Sequence, residues 1–474
     1  MRRQKIKFGT DGWRAVIAED FTFANVERVA QATAVYWKKR RPKGTRKKVV
    51  IGFDRRFLAD QFAERVAEVF AGNGFEVILG DSPTPTPAVS FAVKALKAAG
   101  GIVITASHNP AAFCGYKLKG HFGGSADSET SQAVEALLDA KSVKSLDMDL
   151  AKRRRLVRVK DLHTPHARAI RELVDFELIA GSGLRFAHDA LFGVGAGSFE
   201  KILGGTRCKV TTLNAEHDPF FGGIHPEPIV HNYGPSAAYL CKNPHDLCLV
   251  TDGDADRVGG MDGRGNALTT HQVICLLLNH YIVNRRQRGR VVKALTTTSM
   301  VDRICELHGL ELLETGVGFK YICTEMQKGD VLMGFEESGG IGFPGHIPER
   351  DGILAGLALL ELLATEKTTV NKLLARLEKQ FGPHRYNRLD THFPLGKRDK
   401  LMRHCVANPP AKLAGSPVAE VKTFDGVKYI AENGVWLMMR GSGTEPILRI
   451  YAEARSDADT KKLIRLGISL TRQV

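Results

Sequence analysis

The chain has 474 residues, of which 43% are hydrophobic and 25% charged, and it carries a formal net charge of +15. The length is material for about three domains with real cores. Eight cysteines scattered without a Cys-x-x-Cys pair exclude a disulfide framework, and no apolar run approaches membrane-spanning length. The N-terminus runs straight into a Gly-rich motif with no apolar signal segment, so a cytoplasmic protein with no membrane partner is expected. The basic runs at 38–48, 153–155 and 285–290 are not interleaved with aromatics, as a single-strand groove would be. They read as solvated loops, and the surplus charge suits substrates that are phosphate esters rather than nucleic acid.

In chain order, residues 48–53 form a β-branched run, 61–71 have a helical period and 75–79 form a second strand. Turn residues at 83 open a stretch that becomes helical toward 97, and 101–105 is a third strand. Strands separated by helices of about 10–15 residues predict βαβ units and a largely parallel sheet. The pattern repeats with strands at 184–188, 210–213 and 247–250, and again from 290–295 through 331–335 to an apolar helix at 352–366. After about 381 the texture changes to closely spaced strands at 427–431, 435–439 and 447–454, then a helix from 456 to about 470. Polar stretches near 141–165 and 382–395 read as linkers. The predicted organisation is three similar α/β domains with mixed, mostly parallel sheets at 1–150, 151–265 and 266–382, and a smaller α+β domain at 383–474.

Two distant motifs carry the chemistry. Thr105-Ala106-Ser107-His108-Asn109-Pro110 places a serine at the end of an apolar run, where open α/β sheets bind ligands. It is not in a Gly-x-Ser-x-Gly elbow, so acyl-transfer chemistry is unsupported. Asp252-Gly253-Asp254-Ala255-Asp256-Arg257 follows the strand at 247–250 and presents three carboxylates at alternating positions. Arg257 and Gly263 stand where a calcium hand needs glycine and glutamate, and no His or Cys lies nearby, which favours Mg²⁺ or Mn²⁺. A serine hydroxyl beside a divalent ion suits a phosphoryl carrier.

Other segments are weaker alone. Gly193, Gly195 and Gly197 are spaced too closely for a dinucleotide fingerprint and predict a tight strand–helix turn. The loop from Arg440 through Ser442, Gly443 and Thr444 can line an oxyanion, with Arg440 and Arg449 as planar phosphate donors. Glu336 and Ser338 suit sugar hydroxyls. His346 precedes the helix at 352, and Arg14 follows a tight Gly turn.

In family order from residue 8 to 449, these motifs resemble the α-D-phosphohexomutase superfamily of phosphoglucomutases and phosphomannomutases. The resemblance implies four domains around a deep cleft, with Ser107 as a phosphoserine. It implies Mg²⁺ held by Asp252, Asp254, Asp256 and the Ser107 phosphoryl oxygen, with Arg14 and Arg257 beside it. Lys117 and His346 match positions of proton transfer or substrate handling. Glu336 and Ser338 match the sugar loop, Arg440, Ser442, Gly443 and Thr444 the phosphate loop, and Lys320 a further phosphate contact. The sequence departs from the family at Cys114, where asparagine is usual, and at Phe335, where glycine is usual.

The implied reaction interconverts hexose 1-phosphate and hexose 6-phosphate through a 1,6-bisphosphate, glucose 1,6-bisphosphate being activator and intermediate. The Glu-Glu-Ser wording resembles glucose-preferring members. The alternatives are a phosphomannomutase, a dual glucose/mannose mutase or a metal-dependent sugar phosphatase, and, outside enzymes, a polyanion-binding protein. The oligomeric state is not readable from these residues.

Overall fold

The computed structural model describes residues 6–9, 11–441 and 446–473. They form two compact units, one of residues 1–287 and 318–370, the other of 288–317 and 371–474.

The first unit opens with a six-stranded mixed sheet. Its strands are β1 (Trp13–Val16), β2 (Lys48–Phe53), β3 (Glu76–Gly80), β4 (Gly100–Ile104), β5 (Phe113–Gly120) and β6 (Val157–Lys160), in spatial order β1-β5-β4-β2-β3-β6. The run from β4 through β2 and β3 to β6 is parallel, and β5 and β1 are added antiparallel at one edge. Strand β2 is buried at all six positions, as a strand covered by helices on both faces must be. Val49 and Ile51 face a core shared with the helices Phe23–Lys39 and Ala59–Gly72, while Val50 faces Val89 and Val93 of the helix Thr86–Ala95.

A second mixed sheet follows, of β7 (Arg185–Asp189), β8 (Lys209–Leu213), β9 (Leu247–Thr251), β10 (Val258–Asp262) and β11 (Ala267–Leu268), in order β11-β10-β9-β7-β8. Strand β9 is parallel to β7 and antiparallel to β10, so the Asp252–Arg257 loop is a hairpin connection at the C-terminal end of a central strand. The Gly193–Gly197 segment is the predicted turn into the helix Ser198–Leu203. A Cβ at Gly193 would lie 2.8 Å from the Asp252 carbonyl oxygen, so that turn packs directly against the acidic loop. The same unit holds the hairpin Val331–Phe335/Ile341–Gly342 and the helix Gly352–Glu366, buried from Gly352 to Ala364 and capped by Asp351.

In the second unit, Arg290–Ala294 pairs in parallel with Leu312–Thr315. A separate six-stranded sheet runs in the order Arg385–His392, Ile447–Ala454, Trp436–Gly441, Val427–Ala431, Ser416–Lys422, Lys412–Leu413, antiparallel throughout. The helix Asp457–Thr471, capped by Ser456, contributes Leu463 and Ile464 to a core with Leu437, Met439, Leu448 and Ile450.

Both stretches expected to be linkers carry an edge strand. β6 buries only Val157 and exposes Arg158, Val159 and Lys160, and Arg385–His392 alternates half-buried with exposed residues from Asn387 onward. An edge strand with one face in water is as polar as a connection.

Candidate active site

Ser107 lies just past the C-terminal end of β4, fully buried and with φ of 55°. A non-glycine residue held in the left-handed region is strained, and it persists only where its surroundings fix the backbone. Its hydroxyl donates to Asp252 Oδ2 at 3.0 Å, although 145 residues separate them in the chain. The serine loop and the acidic hairpin touch backbone to backbone here. A Cβ at Gly253 would lie 2.6 Å from the Ser107 carbonyl oxygen. Gly253→Ala is therefore expected to cost about 1–3 kcal/mol of stability and to depress turnover, read by thermal denaturation beside an activity assay. Unchanged melting and rate would show that the two loops are not pressed together.

Asp252, Asp254 and Asp256 are fully buried, and one oxygen from each lies within 4.8 Å of the others. Each carboxylate is also gripped by the protein. Asp252 Oδ1 accepts from the Asp256 and Arg257 amides, each at 3.0 Å. Asp254 Oδ2 accepts from Thr86 Oγ1 at 2.5 Å and Lys117 Nζ at 2.8 Å. Asp256 Oδ2 accepts from Arg350 Nη2 at 2.6 Å and Lys117 Nζ at 3.2 Å. The Oδ1 atoms of Asp254 and Asp256 are buried without a hydrogen-bond partner among the described residues. Burial, followed by the charges of Asp256 and Asp254, pushes the Asp252 carboxyl well above the usual range. Buried, unsatisfied, hard oxygens repelling one another fit a divalent cation, and the absence of His and Cys from the set fits Mg²⁺ or Mn²⁺ rather than zinc.

The cations around this group form a network. Lys117, at the middle of β5, is fully buried; burial disfavours its charge, but Asp11, Asp254 and Asp256 hold it protonated well above the ordinary lysine range. Arg350 bridges Asp256, Asp11 at 3.1 Å and Glu336 Oε1 at 2.7 Å. Arg257 Nη1 lies 3.4 Å from Glu227, and its Nε is 3.9 Å from Asp252 and 3.8 Å from Asp256. Arg14, on β1, donates to Asn109 Oδ1 of the serine loop at 2.7 Å. Glu336 accepts from Ser338 Oγ at 2.8 Å, and the Val258 amide donates to Gly339 at 3.0 Å, which fixes this loop beside the acidic hairpin. Phe335 is fully buried at the end of its strand, opposite Ile341. Cys114 is buried in β5.

Ser107, Asp252, Asp254, Asp256, Lys117, Arg257, Arg14, Glu336 and Ser338 thus come together. His346 sits differently: its Nε2 lies 3.0 Å from Asp351 Oδ2, and His166 Nε2 lies 2.6 Å from the same oxygen. Lys320 is in the first turn of the helix Phe319–Gln327, with Nζ 5.2 Å from the centre of the Tyr321 ring. In the second unit Arg440 and Arg449 are cross-strand partners, Arg440 held by Asp425 at 2.8 Å and Arg449 by Asp390 at 3.3 Å. Two guanidinium groups directly opposite repel, an arrangement that an anion relieves. Ser442, Gly443 and Thr444 lie outside the described residues.

Sequence reasoning passed over Asp11, Thr86 and Arg350, and with them Asp54 and Arg56. The last two follow β2, the strand beside β4, so the rule that ligands gather at the C-terminal ends of parallel strands pointed to them.

A serine presented to a buried carboxylate triad and ringed by arginine and lysine has the groups that metal-dependent phosphoryl transfer calls for. Models of the phosphoglucomutase/phosphomannomutase alpha/beta/alpha domains I, II and III match residues 5–144, 164–265 and 269–381, and that of the C-terminal domain matches 401–465. The chain belongs to the phosphoglucomutase/phosphomannomutase family of the α-D-phosphohexomutase superfamily, with three α/β domains and a smaller C-terminal domain. It is 30% identical to a phosphoglucosamine/phosphogalactosamine mutase of Sulfurisphaera tokodaii, across 96% of this chain and 97% of the relative. A phosphoglucomutase/phosphomannomutase of Thermococcus kodakarensis is 28% identical across 98% of both chains. A crystal structure from Thermus thermophilus, provisionally designated a phosphomannomutase, has a TM-score of 0.86 at 36% identity, covering 98% of this chain and 99% of that one. The names agree on a phosphosugar mutase and differ in the sugar. Among the described residues, no helix is long and apolar enough to cross a membrane.

Proposed function

We propose that this enzyme interconverts glucose 1-phosphate and glucose 6-phosphate, with Ser107 as the phosphoryl carrier and glucose 1,6-bisphosphate as the intermediate. The observation that carries the reading is the Ser107 hydroxyl, 3.0 Å from one member of a buried carboxylate triad whose other members keep unpartnered oxygens. Asp252, Asp254 and Asp256, with a phosphoserine oxygen, would hold Mg²⁺. When bound, that ion supplies positive charge against the oxygens of the transferring phosphoryl group.

The P–O bond to Ser107 Oγ breaks as the 6-hydroxyl oxygen of hexose 1-phosphate bonds to phosphorus, and that hydroxyl proton passes to a base in the site. The bisphosphate then turns over and returns its 1-phosphoryl group to Ser107. Arg14 and Arg257 flank the phosphoserine and offset its charge of about −1.5 to −2. Lys117, held protonated, serves as a fixed positive charge that handles the substrate beside the transferring oxygens, and His346 belongs to the proton-handling set. Glu336 and Ser338 bind sugar hydroxyls in both poses. Arg440, Ser442, Gly443, Thr444 and Arg449 hold the distal phosphate, and Lys320 adds a contact to it. That second phosphate site favours a mutase over a phosphatase, which has no need of one. The scattered cysteines, most of them buried and none in a disulfide among the described residues, fit a reducing cytoplasm.

The deciding assay follows glucose 1-phosphate, mannose 1-phosphate and glucosamine 1-phosphate with Mg²⁺ and trace bisphosphate. Glucose is expected to give the highest kcat/KM. Mannose equal to glucose makes the enzyme a dual mutase, and glucosamine ahead of both overturns the sugar assignment. Free phosphate in place of a 6-phosphate overturns the mutase reading itself.

A further inference from the structure

We infer that Arg56 is a positioning residue that sets the serine loop in the conformation required for phosphoryl transfer. The inference rests on Ser107 being the phosphoryl carrier. All five guanidinium N–H donors of Arg56 are used, and its side chain is fully buried. Nη2 donates to the carbonyls of Ser107 and Asn109, each at 2.7 Å. Nη1 donates to the carbonyls of Pro110 at 2.8 Å and Phe113 at 2.9 Å. Nε donates to Asp54 Oδ2 at 3.1 Å. That oxygen also accepts from Thr105 Oγ1 at 2.6 Å, and Thr105 Oγ1 accepts from the Ser107 amide at 2.8 Å. One planar cation thus gathers four carbonyls of the loop, and its carboxylate partner holds the residue two before the serine.

The arrangement addresses a specific difficulty. Ser107 is in the left-handed region, costing roughly 1–2 kcal/mol that its surroundings must offset. The Arg56 fork offsets it by fixing the loop on both sides of the serine, and in doing so it aims Oγ at Asp252. Lysine cannot substitute, because a single ammonium has three donors and no planar fork. Arg56 touches neither the carboxylate triad nor Ser107 Oγ in the described contacts, so its effect runs through the loop backbone.

Arg56 also borders a cavity of about 550 Å³ lined by Phe57, Leu58, Asp60, Asp81 and Pro83. Truncating it leaves space beside that cavity for a free guanidinium ion. Arg56→Lys and Arg56→Ala are therefore expected to lower kcat about 100-fold, as a misplacement near 1 Å does, with KM close to native. Millimolar guanidinium chloride is expected to restore much of the lost kcat in Arg56→Ala, while urea and methylammonium do not. Native kcat in either variant overturns the inference, as does a rise in KM alone or a loss of rate that guanidinium leaves unmoved. If Arg56→Ala does not fold, Arg56→Lys decides by its kcat-to-KM split. Incubating the native enzyme with Mg²⁺ and glucose 1,6-bisphosphate, then measuring intact mass, separates the two ideas. No phosphoryl adduct on Ser107 defeats the carrier reading, whereas an adduct with unimpaired Arg56 variants defeats only this one.

Discussion

Ser107→Ala is expected to reduce hexose 1-phosphate conversion by about 10⁴-fold or more, the scale seen when the group that carries the transferred fragment is removed. The protein is expected to stay folded. Among the described residues the hydroxyl makes one side-chain hydrogen bond, to Asp252, and a bond of that kind contributes about 0.5–1.5 kcal/mol. Alanine meets the left-handed backbone at position 107 with no more difficulty than serine does. The Thr105, Asp54 and Arg56 contacts to the loop do not involve the hydroxyl and survive the change. The measurement pairs turnover with phosphoryl incorporation from glucose 1,6-bisphosphate, followed by intact mass. A variant that turns over within about tenfold of the native rate, or still takes up a phosphoryl group, would place the carrier elsewhere. Loss of turnover together with collapse of the melting transition would mean that the serine is structural.

Much of this site was legible in the sequence, and the reason is local. Ser107 follows an apolar run and Asp252 follows another, so each motif sits where a strand must end, and alternate spacing alone brings three carboxylates into one loop. The element periods at 48–53, 247–250 and 352–366 correspond to β2, β9 and the helix Gly352–Glu366. The antiparallel additions were not legible. β5 carries Gly115 and Gly120 among lysines, and β10 opens directly from the acidic loop, so neither shows the bounded apolar run that marks a buried strand. Lys117 was placed by resemblance alone, and its burial among three carboxylates depends on β5 turning back along β4. Arg350 and Arg56 were missed because a buried arginine reads in sequence like any surface arginine. Only the fold shows that one bridges Asp11, Asp256 and Glu336 while the other holds four carbonyls. Glu336 and Ser338 offer acceptors and a hydroxyl that suit any hexose, and the relatives' names divide over the sugar.

Removing the divalent ion is expected to abolish turnover and to lower the melting temperature, and Asp254→Asn is expected to uncouple the two. Without a cation, Asp252 is pushed toward its neutral form by burial and by Asp256 and Asp254, while the Oδ1 atoms of Asp254 and Asp256 keep no hydrogen-bond partner. Lys117 and Arg350 neutralise part of this charge, but they bind the Oδ2 atoms of the two carboxylates and leave the Oδ1 atoms without a hydrogen bond. A cation entering there binds the folded state and not the unfolded one. At a concentration 100 times its Kd it adds about 2.7 kcal/mol of stability. Asp254→Asn removes one charged ligand yet keeps a side-chain oxygen for Thr86 and Lys117. Its melting temperature is expected to respond little to Mg²⁺ or chelator, and its turnover to fall about 10³-fold as several kcal/mol of charge stabilisation is lost. Thermal denaturation of both proteins across a Mg²⁺ titration, read beside the mutase assay, checks this. A variant whose melting temperature still climbs with Mg²⁺ as the native protein's does would move the cation away from the triad. Native stability that ignores chelation while activity disappears would place the ion on the substrate phosphates rather than on Asp252, Asp254 and Asp256.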